Sequence, residues 1–221
     1  MSHELGTNLT LWVGRVVDLD DPEKLGRVRV RMIGLHVEDE TLIPTDTLPW
    51  AIVSSPGQSA SINGVGSSPT GIDIGSSAWG FFLDGASMQQ PLLCGTWWGK
   101  PKGISEVSGY VTGEKSIAKG DLNSEPANRA APVYPHNKVH TTKAGHVLEI
   151  DDTPGAERIH IYHKSGTYVE MTQEGDHIVK VKGDGYDLTA GNKTVYVGGN
   201  VNIVVKGEAN IKAETFTITE G

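Results

Sequence analysis

Three observations predict an all-β chain in two unlike parts. Glycines recur at a fixed eight-residue interval through the last quarter: Gly175, Gly183, Gly191, Gly199 and Gly207. In the same quarter apolar residues fall on every second position, as in "TVYVGG", "VNIVVKG" and "FTITEG", which is strand and not helix periodicity. The first hundred residues instead hold all five tryptophans and several short alternating runs separated by turn residues. The expectation is a small barrel in front and a β-solenoid or β-prism behind.

Taken in order, "TLWVGRVVDL" (10–19) reads as a strand and "DDPEKLG" (20–26) as a turn punctuated by proline and glycine. "RVRVRMIG" (27–34) alternates without fault, with Val28, Val30 and Met32 on one side and Arg27, Arg29 and Arg31 on the other. That arginine row is either the solvated face of a strand or a polar contact to a partner. "LPWAIV" (48–53) is a third strand, and the Gly- and Ser-rich stretch 54–77 is a long loop. "AWGFFLD" (78–84) and "QPLLCGTWW" (90–98) close the module as a hairpin. Five short strands in about a hundred residues suggest a small barrel over 1–103. Cys94, the single cysteine, sits in an apolar run and reads as a core thiol, with no intrachain disulfide to form. Residues 104–135 lack sustained periodicity and serve as a connector.

In the repeat, Val181, Thr189, Val197 and Val205 stand two residues before a glycine, and Val179, Asp187, Val195 and Ile203 stand two earlier again; Ile211 continues the series. Each octad is expected to be one strand plus one corner, with glycine at the corner because it alone takes positive φ cheaply. Two or three small aliphatic side chains per octad bury too little to offset the ordering of eight residues. A column of unpaired strand edges would also invite aggregation. Sister chains remedy both faults, so an obligate homo-oligomer is expected, and a valine-lined prism suits three-fold symmetry. The axis would then carry Val179, Val181, Val195, Val197, Ile203, Val205 and Ile211.

The net charge is −8 and no segment is basic, so the electrostatic footprint of a nucleic-acid binder is missing. "MSHELGTNLT" has neither the basic start nor the apolar core of a signal peptide, and no run reaches the length of a membrane span.

The string "GRVVDLDDPEKLGRVRVRMIGLH", then "LPWA", then "QPLLCGTWWG", resembles the oligonucleotide/oligosaccharide-binding (OB) domain of phage baseplate spike proteins. That group includes the tail-spike lysozyme of T-even phages and the valine–glycine repeat proteins of type VI secretion. "HTTKAGHVLEIDDTPGAERIHIYHKSGTYVEM" (140–171) resembles the segment leading into the spike's needle, and the octads resemble its triple-stranded β-helix. The resemblance implies an N-terminal OB-fold barrel, then an intertwined trimeric needle over 136–221. It implies a central spike of a contractile tail, assembled in the host cytoplasm, that punctures the host outer membrane. The alternative is the spike of a type VI or extracellular injection system. It further implies a trimeric hub protein above the barrel, with Arg27, Arg29 and Arg31 as contacts. A conical tip protein of the proline–alanine–alanine–arginine repeat (PAAR) type would cap Thr215, Phe216, Thr217 and Ile218.

No enzyme or cofactor is expected. The T-even relative carries a lysozyme domain between barrel and needle, whereas Ile104–Ala130 here is too short for one, and its acids Glu106, Glu114, Asp121 and Glu125 lack a cleft to set their pKa values apart. His160 and His163, three apart on a strand, point to opposite faces and make a poor metal pair. The His-x-His iron motif that ends some needles of this family is absent after His177; a ring of His177 from three chains is the remaining metal option, against a solvated or packed histidine. Asp151 and Asp152 before "TPG" read as a turn, with calcium as the second reading. "GGN" at 198–200 has no phosphate-loop spacing, and no serine has a nucleophile elbow.

Overall fold

The computed structural model describes residues 9–99 and 130–219. The connector's acids Glu106, Glu114, Asp121 and Glu125 lie outside the described residues. The chain divides into two compact units, 1–182 and 183–221.

The first unit opens with five strands: β1 (Leu11–Asp18), β2 (Val28–Met32), β3 (Trp50–Val53), β4 (Ser77–Phe82) and β5 (Pro91–Trp97). They close into a barrel in the order β1-β2-β3-β5-β4, all pairs antiparallel except β3 with β5. The alternation of β2 holds, for Val28, Val30 and Met32 all enter the core with Trp12, Val16, Ala51, Ala78, Phe82 and Leu93. Gly80 is required by close approach: a Cβ there would stand 1.9 Å from the Leu92 carbonyl oxygen and 2.6 Å from the Trp12 ring. The β4–β5 register shifts between Trp79 and Gly80, a bulge that bends the strand around the small barrel. Cys94 corrects the core-thiol reading. Leu93 takes the inward position, so alternation leaves Cys94 half-buried on the other side.

A second sheet follows in the same unit: β6 (Asn137–Thr141), β7 (Val147–Asp151), β8 (Arg158–Tyr162), β9 (Tyr168–Met171) and β10 (His177–Lys180). It is an antiparallel meander in the order β10-β9-β8-β7-β6. Left-handed glycines turn its hairpins, Gly145, Gly155, Gly166 and Gly175, at φ +92°, +79°, +94° and +85°. This half of the 136–221 segment therefore pairs within one chain. Its glycines stand nine to eleven residues apart, and Gly175 belongs to this hairpin series.

The second unit is different in kind. From 183 to 219 every residue is exposed and no strand pairs with another part of the chain. The backbone bends at 182–183, 190–191, 198–199, 206–207 and again at Glu214, so the eight-residue beat is visible as geometry. The expected reason for the glycines needs correcting. Gly183, Gly191, Gly199 and Gly207 bend the chain without a left-handed φ, and a Cβ on any of them would meet nothing within 4 Å in this chain.

Candidate assembly surfaces

The turn after β1 is built on Asp21. Its carboxylate accepts the backbone N–H groups of Glu23, Leu25 and Arg27 and meets the Arg27 guanidinium at 2.7 Å. The Arg27 hydrogen bond, aided by those amides against the opposing effect of burial, holds the Asp21 carboxyl well below its ordinary 3.8. A depressed carboxylate stabilises the fold above its unfolded pKa, and that contribution is lost as pH falls. Barrel stability is therefore expected to drop as pH falls below about 4, and Asp21→Asn to flatten that drop. Urea titrations from pH 6 to pH 2, followed by tryptophan fluorescence, check it; an unchanged pH profile in the variant would refute the assignment.

The arginine row is not a solvated face. Arg31 is 5% exposed, and it donates to the carbonyls of Val37 and Ile43 at 2.8 and 3.0 Å and to the Thr45 hydroxyl at 3.2 Å. The loop between β2 and β3 folds over this strand, and its unpaired carbonyls need a donor. Arg29 reaches Asp18 at 3.3 Å and lies 4.3 Å above the Trp50 ring. Arg27 and Arg29 each keep part of their side chain at the surface.

A surface that sequence inspection missed lies on the barrel's outer wall. The register lines up Leu11, Phe81, Leu92 and Ile52 across β1, β4, β5 and β3, with Val13 beside Trp79 in the next row. Leu11, Val13, Ile52 and Trp79 are exposed. The signal was present in "LWVGRVV", which is apolar on both faces of one strand.

The meander has two opposite faces of reversed character. One is polar yet buried: Glu149 and His160 are both 0% exposed and sit across from each other on β7 and β8. Arg158 donates to Glu149 at 2.7 Å and to Glu170 at 3.0 Å, the His160 ring lies 2.8 Å from Glu170, and Asn137 donates to Glu149 at 2.6 Å. Burial tends to raise the Glu170 pKa, but His160 and Arg158 outweigh it and hold that carboxyl below its ordinary value. The other face carries Leu148, Ile150, Ile159, Ile161, Met171 and Val179, all open to solvent.

His163 lies on an exposed turn with its ring 4.5 Å from His146, apart from buried His160. His177 is exposed on β10. Asp151 ends β7 and accepts the Thr153 amide and hydroxyl at 2.9 and 2.6 Å, closing the turn, while Asp152 pairs with Lys138. No three His, Cys, Asp or Glu side chains among the described residues are placed to hold a metal. The repeat valines and isoleucines, with Phe216 and Ile218, are exposed in the second unit.

Comparison with known proteins comes to bear on these surfaces. Residues 34–116 match the family described as "Gp5 N-terminal OB domain". The chain is similar to "Protein Gp5" of Vibrio phage KVP40, 30% identical over 268 residues that span 90% of this chain and 63% of the relative. It is also similar to "Pre-baseplate central spike protein Gp5" of Enterobacteria phage T4, 47% identical over 85 residues, or 36% of this chain and 15% of that protein. The chain thus spans less than two thirds of either relative.

Proposed function

We propose, from the similarity of this chain to phage baseplate spike proteins, that it is the non-enzymatic spike of a contractile tail. Three copies wind their octads into a needle that is driven through the host outer membrane. One observation carries this reading: residues 183–219 bend every eight residues, expose their aliphatic side chains and find no strand partner among the described residues of their own chain. Backbone groups and valines both lack intrachain partners there, and winding with sister chains supplies both at once. The bare space around Gly183, Gly191, Gly199 and Gly207 supports the same reading, since a neighbouring chain can approach closely where no Cβ stands.

The mechanism is mechanical. A narrow rod whose strands are all paired across chains resists bending and unfolding, so sheath contraction reaches the membrane as force at the tip. Thr215, Phe216, Thr217 and Ile218 form the end that a PAAR-type protein covers. The hub contacts the barrel, and its outer apolar wall suits that contact better than the arginine row, whose guanidinium groups are engaged within the chain. No muramidase activity is assigned to this chain.

Native mass spectrometry of the purified full-length protein, with three-fold averaged electron micrographs, tests the reading. A trimer with a slender rod is expected. A folded monomer whose residues 183–221 resist protease would overturn it.

A further inference from the structure

We infer that the apolar face of the β6–β10 meander seats a second copy of this chain, and that this contact sets the register in which the octads wind. The inference rests on the trimeric-spike reading and adds to it where register comes from.

The repeats specify register poorly. Sliding one chain by eight residues again places glycine against glycine and, apart from Asp187 and Thr189, aliphatic against aliphatic at both preceding positions. Strands whose pattern repeats identically are prone to slippage. Something outside the repeat must therefore align the chains before they zip together.

The meander has what the octads lack. Its apolar face occurs once in the chain, over β6 to β10, whereas the octad recurs, so sister faces can meet in one alignment without an equivalent one eight residues away. Register places Ile150, Ile159 and Met171 in one row and Leu148, Ile161, Val169 and Val179 in the next. The six most open of these are between 43% and 59% exposed. Together they leave on the order of 500 Å² of contiguous apolar surface, at the upper range for a monomer and approaching the ~800 Å² per partner of a standard interface. The polarity is reversed from that of a one-sided sheet, which keeps its aliphatics inward and its charges outward. Here Glu149, Arg158, His160 and Glu170 are already covered, so the aliphatic face is the one that awaits burial. It also runs directly into the repeat, because Val179 is its last residue and Val181 follows.

The test uses the full-length chain carrying Ile150→Glu and Ile161→Glu together. Sedimentation velocity and native mass spectrometry read assembly, and tryptophan emission, arising wholly from the first hundred residues, reads the barrel. The single trimer is expected to give way to monomer and mixed oligomers while the emission stays unchanged. The same single trimer with the same melting temperature would overturn the inference and leave the spike reading standing. A monomeric parent protein would remove both. Should the double variant precipitate, Ile161→Cys combined with Cys94→Ser answers the question without a buried charge. A short bis-maleimide is expected to give covalent dimers from the native protein, and their absence would overturn the inference.

Discussion

Val205→Asp is expected to abolish the trimer, whereas Val204→Asp is expected to leave it intact. Val205 occupies the position two before a repeat glycine, where the series also places Val181 and Val197, and the alternation turns its neighbour Val204 to the opposite side. In the wound needle three copies of residue 205 would meet at one level of the axis. An unpaired buried carboxylate costs several kcal/mol, and three facing one another add like-charge repulsion. The loss therefore exceeds roughly 10 kcal/mol per trimer, more than a needle of small aliphatics has in reserve. The Val204 variant places its charges in water, where substitutions ordinarily stay within about 0.5 kcal/mol. Analytical ultracentrifugation of the two variants at one concentration separates the outcomes. Equal behaviour of both would mean that the alternation does not define an axis.

Arg158→Leu carries the second large effect, in the meander. The guanidinium reaches both Glu149 and Glu170, and its side chain is 4% exposed. Removing it leaves two buried carboxylates facing His160, and breaking a buried pair in this way costs about 3–5 kcal/mol. Thermal unfolding by far-ultraviolet circular dichroism should show the meander melting well before the parent, with the barrel's tryptophan signal little altered. Replacing Glu149, Arg158 and Glu170 together by apolar residues of similar size should lose far less, because no charge is then stranded. The pH dependence has a definite sign. Glu170 is held below its ordinary 4.5, so its contribution is complete above that pH and fades as the medium is acidified. A loss below about 1 kcal/mol for the single variant would mean that water reaches the cluster and screens it.

The barrel was largely legible because its strands alternate cleanly. Val28, Val30 and Met32 were placed on one common side on period alone, and all five strands lie within two residues or so of their expected bounds. Arg31 was not legible. Its role depends on a loop folding back over β2, and nothing in "RVRVRM" announces that cover. The covered face of the meander was not legible either. "VLEID" and "RIHIY" alternate well, but alternation states only that two faces differ and not which one is covered. Cross-strand pairing carried the missing signal. Asp151 stands opposite Arg158, an opposite-charge match, and Glu149 stands opposite His160, pairings that a hairpin alignment would have exposed.

Composition, period and the glycine beat are local properties, and they were enough for an all-β chain with a barrel in front and an eight-residue repeat behind. Local rules reach that far because strand alternation and turn chemistry are decided within a few residues. Which face of each strand is covered was settled elsewhere, by contacts between residues distant in the chain. The charged side of the meander became its interior, the arginine of β2 became a brace, and the aliphatic side was left outward. Burial is a property of neighbours, and a linear string does not contain them.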